Sequence, residues 1–300
     1  MLTFSMSPMK FCKYHALGND YIVIQPADVQ GELDQGHIHL ICHRNYGIGS
    51  DGILLGPLNS TSCDFKLRIF NPDGSEAEKS GNGLRIFARF LWDRGLVREQ
   101  PFSIETIGGT VRAQVQSGGK SVTVEMGEVS FDSKKIPVTG VAGEVLNETI
   151  KVGDMVFTYC AATVGNPHCV ILCASPTEEI AKRYGPLIEI EPRFPNRTNV
   201  QFMKVLDRQN IQIEIWERGA DYTLASGSSS IAAAAVAYKL GLCDSKIMVH
   251  MPGGNLDIWF KEGFHATMTG PVVRISEGKI DDDMFQKDLL ARKQERRTFS

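Results

Sequence analysis

The sequence predicts an α+β protein of two pseudo-symmetric domains, each a curled mixed sheet around a central helix. Three observations predict it. A shift of 146 residues brings Ser80-Gly81 over Ser226-Gly227 and Gly95-Leu96 over Gly241-Leu242. At the same shift the alternating segments Phe65 to Phe70 and Ile211 to Trp216 overlay, and both read as strands. With one residue of slippage, Gly108-Gly109 answers Gly253-Gly254, and Leu17-Gly18-Asn19 answers Val164-Gly165-Asn166.

Each half is then one unit: a Gly-Asn loop, a strand, a turn, Ser-Gly, a helix, Gly-Leu, and two strands around a Gly-Gly hairpin signal. In the first half the helix spans about Asn82 to Arg94, with Leu84, Phe87, Ala88 and Leu91 on one face and Gly95 as its stop. In the second, the segment Ile231 to Leu240 is so rich in alanine that it is expected inside a sheet, where only small side chains fit. Lys, Pro and Gly cluster from Asp132 to Gly143, the expected linker. The expected domains are residues 1–132 with 275–300, and 133–274. Met1 to Pro8 reads as a frayed extension, and the charged tail from Asp281 as a helix returning to the first domain.

Composition excludes several classes. With 42% apolar residues and a net charge of −3, the chain is globular and has no basic excess to hold nucleic acid. No apolar run reaches the roughly eighteen residues a membrane span needs, and Met1 to Lys10 lacks the pattern of an export signal. A cytoplasmic location is expected. The seven cysteines form no CxxC pair, so free thiols are expected instead of disulfides or a zinc ribbon. Cys169 and Cys173 with His168 lie in an apolar strand pattern and read as buried structural groups, not as a metal site.

The chemistry is expected where the halves repeat. In each, a serine followed by glycine opens a helix, and the free N–H groups of such an end bind anions. Two of them, with Gly81-Asn82 in one and Gly227-Ser228 in the other, would hold a carboxylate, with Ser80 and Ser226 on opposite sides of it. That is the arrangement of a two-base racemisation, in which one group removes an α-proton and the other returns it from the opposite face. The plain alternative is that both serines are ordinary helix N-caps.

The chain from Phe11 to about Val273 resembles the diaminopimelate epimerase family. The resemblance rests on six stretches in order. They are Ala16-Leu17-Gly18-Asn19-Asp20-Tyr21, Gly47-Ile48-Gly49-Ser50-Asp51-Gly52, Arg68-Ile69-Phe70-Asn71-Pro72-Asp73-Gly74-Ser75-Glu76, Gly165-Asn166-Pro167-His168, Arg197-Thr198-Asn199 and Glu217-Arg218-Gly219. It implies the fold of that family and an isomerase with no cofactor, pyridoxal phosphate or metal. The reaction implied interconverts LL- and meso-2,6-diaminopimelate, in lysine and peptidoglycan biosynthesis, by two active-site cysteines. It further implies that Asn19, Asn71, Asn166, Asn199 and Arg218 bind substrate, Arg218 gripping the distal carboxylate. The backbone of Gly81-Asn82 and Gly227-Ser228 would take the α-carboxylate, and His168 and Glu217 would tune or relay protons. A diamino diacid is the expected partner, and a homodimer is kept open.

One departure is large. Where the family has its two cysteines, this chain has Ser80 and Ser226. A thiol titrates near 8.5 and an alcohol, like water, roughly seven units higher, a difference of about 9 to 10 kcal/mol in deprotonation. The expectation is an impaired epimerase. Engineering would change two positions only, whereas Lys79, Ile86 and Ser228-Ser229-Ser230 also depart from the family's usual residues, which favours a natural branch. The alternatives are a non-catalytic amino-acid-binding homologue and a divergent isomerase of another amino acid. A serine hydrolase pairing Ser80 or Ser226 with His168 lacks the GxSxG elbow, and a dinucleotide reading of Gly47 to Gly52 lacks the helix that must follow it.

Overall fold

The computed structural model describes residues 9–29 and 31–285. The described residues form two compact units, those up to 122 with those from 272 onward, and residues 123–271. The expected extension Met1 to Pro8 lies outside the described residues, as does the tail beyond residue 285.

The first unit contains β1 (Met9–Ala16), β2 (Asn19–Ile24), α1 (Gln35–Cys42), β3 (Ile53–Leu58), β4 (Phe65–Phe70), α2 (Gly81–Asp93), β5 (Phe102–Thr106) and β6 (Gly109–Gln116). Its sheet runs β1-β2-β3-β4-β5-β6, with neighbours alternating antiparallel, parallel, antiparallel, parallel, antiparallel. β7 (Ser121–Glu128) crosses the division between the units.

The second unit contains β8 (Glu148–Val152), β9 (Met155–Thr163), β10 (Pro167–Leu172), α3 (Glu178–Glu189), β11 (Asn199–Asp207), β12 (Asn210–Glu217), β13 (Asp221–Thr223), α4 (Gly227–Lys239), β14 (Lys246–Met251), β15 (Gly254–Lys261) and β16 (His265–Pro271). Its sheet runs β9-β10-β11-β12-β14-β15 with the same alternation of directions. β8 flanks β9 in this unit, and β17 (Val273–Ile280) flanks β1 in the first.

The repeat is therefore a repeat of topology, and its strongest register is in the two central helices. α2 and α4 have 13 residues each, open on Ser80 and Ser226, and close on Gly95 and Gly241, both at φ 70°. That left-handed conformation is open to glycine without a Cβ penalty and ends a helix. α2 packs on β1, β2, β3 and β6; α4 packs on β9 to β12 and β14 to β16. Ile231 to Ala237 are fully buried, as the alanine content predicts.

Each unit also has an outer helix that the repeat unit read from sequence does not contain. α1 buries Ile38 and Ile41 against Ile22, Ile24 and Ile53. α3 buries Ala181, Tyr184 and Ile188 against Cys169, Ile171, Val200 and Phe202. Alternation along a strand then sends Tyr21 and Val23, and likewise His168 and Val170, to the opposite face, toward the central helix.

The glycine-rich segment Gly47 to Gly52 leads into β3, so no helix N-terminus follows it. The segment Asp132 to Gly143 lies inside the second unit, held by the Ser133 N–H on the Gly143 carbonyl at 2.8 Å. Met284 and Phe285 pack on the first unit's core beside Ile280. Among the described residues no helix is long and apolar enough to cross a membrane, and no cluster of His, Cys, Asp and Glu has metal-binding proximity.

Candidate active site

Ser80 is the N-cap of α2. Its Oγ accepts from the Gly83 N–H at 3.0 Å, and the backbone there is extended, φ −137° and ψ 117°. Ser226 caps α4 in the same way, accepting from the Ser229 N–H at 3.4 Å with φ −141° and ψ 129°. The plain alternative is thus realised in both halves. Capping uses one lone pair of each hydroxyl and leaves its O–H and a second lone pair for other partners. The N–H groups of Gly81 and Asn82, and of Gly227 and Ser228, belong to the first turn of each helix, whose donors have no intrahelical acceptor.

Behind the first helix start runs a polar chain. Arg85 donates to Asn82 Oδ1 at 2.6 Å, Asn82 Nδ2 to Asn19 Oδ1 at 3.0 Å, and Asn19 Nδ2 to Asp51 Oδ2 at 2.9 Å. Asp51 and Asp20 share Arg44, and Lys13 lies 2.9 Å from Asp20. Burial raises both carboxyls, but hydrogen bonds from Arg44 and Lys13 bring Asp20 below its usual value, while Asp51 stays above. Asn19 and Asn82 are thereby fixed in orientation. Asn71 sits in the turn after β4, its Nδ2 on Ser75 Oγ at 3.0 Å.

In the second unit His168 is fully buried. Its Nε2 lies 3.0 Å from Asn166 Oδ1, and its Nδ1 faces Gln201 Nε2 at 3.1 Å. Nε2 therefore carries the proton and Nδ1 accepts. Burial, then the positive charge of Arg218, pushes the imidazole down to about 3, so it is neutral at physiological pH. Both ring nitrogens are engaged by amides, which leaves neither on a serine hydroxyl of this unit and removes the local basis for a hydrolase dyad.

Asn199 pins the neighbouring turn. Its Oδ1 accepts from the Arg218 N–H at 3.0 Å and its Nδ2 donates to the Pro167 carbonyl at 2.9 Å. The exposed Arg218 side chain donates to the Asn196 carbonyl at 2.9 Å, and Glu217 precedes it, half-buried at the end of β12.

Two residues of this site escape the motif reading. Gln201 is fully buried and joins His168 to Ser229 Oγ, which lies 2.9 Å away. Its signal was present as a second polar residue in alternation with Asn199 in an apolar strand. Glu189, also buried, accepts from Trp216 Nε1 at 2.7 Å, from the Gly219 N–H at 3.0 Å, and from Arg197. It braces the two turns bearing Asn199 and Arg218, and its signal lay only in three dimensions.

A family model described as diaminopimelate epimerase matches residues 11–132 and 160–275. The chain belongs to the diaminopimelate epimerase family. A relative described as diaminopimelate epimerase 2, from Nostoc sp., is 64% identical, over 92% of this chain and 97% of that one. A diaminopimelate epimerase from Moorella thermoacetica is 38% identical, over 92% and 100%. The fold reaches beyond the diaminopimelate epimerases. A hydroxyproline epimerase from Agrobacterium vitis, solved with bound trans-4-OH-L-proline, superposes with a TM-score of 0.68 at 15% identity, covering 93% of this chain and 94% of that one. A Bacillus anthracis protein of the PhzF family gives 0.65 at 17%, covering 92% and 100%.

Proposed function

We propose that this chain is a cofactor-independent epimerase of 2,6-diaminopimelate that moves the α-proton by two bases. The observation that carries the reading is the pair of matched helix starts, each a capped hydroxyl beside two first-turn N–H donors. In this reading the Gly81-Asn82 and Gly227-Ser228 N–H groups hold the α-carboxylate, and Ser80 and Ser226 exchange the proton on the two faces of the α-carbon. Asn19, Asn71 and Asn166 bind the amino-acid groups. Arg218, placed by Asn199, takes the distal carboxylate as a charge-assisted pair. His168 enters as a neutral orienting group for Asn166, and Glu217 as a group that tunes or relays the protons of the serines.

The hydroxyls set the rate. To take the α-proton as an alkoxide, a serine must first lose its own proton, some seven pKa units less readily than a thiol, a cost of about 9 to 10 kcal/mol. Two measurements test the reading. Calorimetric titration should give tighter binding of diaminopimelate than of lysine, and equal affinity would count against a diacid site. Incubation in deuterium oxide should show slow α-deuteration by the parent. S80C with S226C should raise the rate by orders of magnitude, and each single change much less. A double cysteine variant that binds the diacid without α-exchange would defeat the reading.

A further inference from the structure

The first helix start holds a contact that compensates for its weak acid. Tyr21 Oη lies 3.1 Å from Ser80 Oγ, and either oxygen can be the donor. The tyrosine is buried on the α2 side of β2, and its ring is seated against position 52. A Cβ on Gly52 would stand 2.6 Å from Tyr21 Cε1 and 2.5 Å from the Phe70 carbonyl oxygen. Glycine at 52 is thus what lets the ring approach. The repeat gives the position meaning: in the parallel pairing Tyr21 precedes Ile22, opposite Ile53, as His168 precedes Cys169, opposite Val200. Tyr21 and His168 are the same residue of the repeat, and each is a ring able to carry a proton.

We propose that Tyr21 is the proton-relay partner of Ser80. The inference rests on the epimerase reading above and supplies what its hydroxyl lacks. Ser80 Oγ has one O–H and two lone pairs, and the Gly83 N–H occupies one pair. In the acid-ready state Tyr21 O–H donates to the second pair and Ser80 O–H points to the substrate. In the base-ready state Ser80 O–H donates to the tyrosine oxygen and the second pair faces the substrate. On abstraction the Cα–H bond breaks and its electron pair stays on Cα. The proton bonds to Ser80 Oγ, whose own proton passes to the Tyr21 phenolate. Reprotonation reverses every transfer. Ser80 never becomes an alkoxide, and the charge rests on a phenol, a far stronger acid than an alcohol. The α2 N-terminus and the buried Arg85, two of whose guanidinium nitrogens have no hydrogen-bond partner, add positive potential behind the pair.

The test is Tyr21→Phe, which keeps the ring in its seat, made in the parent and in Ser80→Cys. General acid–base partners contribute about 100-fold to 10,000-fold. In the parent, Tyr21→Phe should lower α-deuteration of diaminopimelate by at least about 100-fold with calorimetric affinity and unfolding midpoint retained. In Ser80→Cys, where a thiol ionises on its own, the loss should fall below about 10-fold. Equal losses in both backgrounds, or none in the parent, would overturn the relay and leave the epimerase reading standing. A parent without exchange beside an active S80C S226C variant would overturn it too. No exchange in any variant, the double cysteine included, would sink the epimerase reading and the relay together.

Discussion

At the scale of single residues, the second unit stores a neutral imidazole, and that has a thermodynamic consequence. His168 is pushed down to about 3 by burial, while an unfolded histidine titrates near 6.5. Below about 6.5 the unfolded chain takes up a proton that the folded one refuses, so stability falls with pH until about 3. Between pH 7 and pH 5 this group alone should remove about 2 kcal/mol. Urea denaturation of the parent and of His168→Gln at both pH values checks it: the variant should lose about 2 kcal/mol less on acidification. An identical pH dependence in the two would mean that the imidazole is charged or solvated in the folded chain. The serines differ from this histidine in kind. Their capping bonds are structural whether or not they move protons, so stability measurements say little about their chemistry.

At the scale of elements, the two central helices solve one packing problem with different side chains. α2 fills its sheet with Leu84, Ile86, Phe87, Phe90 and Leu91, whereas α4 uses Ile231, four alanines, Val236 and Ala237. More strands pack on α4 than on α2, and its small side chains permit their close approach to its backbone. Ala234→Leu should then overpack, costing about 1 to 3 kcal/mol and lowering the thermal midpoint by several degrees. A midpoint within one degree of the parent, as a rough bound, would show that space exists around α4. The helices themselves were legible, because Ser and Gly mark their ends. α3 also had a signal, Thr177 followed by Glu178 and Glu179, an N-cap with acid in the first turn. α1 had less, since its eight residues are too few to show a period against the apolar strands around it.

At the scale of the whole molecule, the order of the chain and the order of the sheets differ. β17, near the end of the described chain, lies against β1 in the position that β8 holds against β9. The first unit is therefore closed by a strand that arrives only after the entire second unit has been made. Truncation after Pro271 should strip β1 of its outer partner and remove the Val272 carbonyl that accepts from Arg89 at 3.0 Å. Hydrogen exchange should then rise in β1 and the end of α2 while β9 to β12 remain protected. Uniform loss of protection across both units would show that they unfold as one.

The sequence by itself determined the duplication, the two central helices with their caps and stops, the strands beside them, and the family with its candidate residues. These are local signals: a serine at an N-cap, a glycine at positive φ, alternation along a strand, and short motifs in order. Only the tertiary structure decided what the side chains touch. Asn199 bonded to backbone, Gln201 between His168 and Ser229, Glu189 beneath two turns, and Tyr21 on Ser80 each join positions far apart in the chain. A hydrogen bond depends on distances of a few tenths of an ångström between such positions, and no periodicity or spacing encodes that.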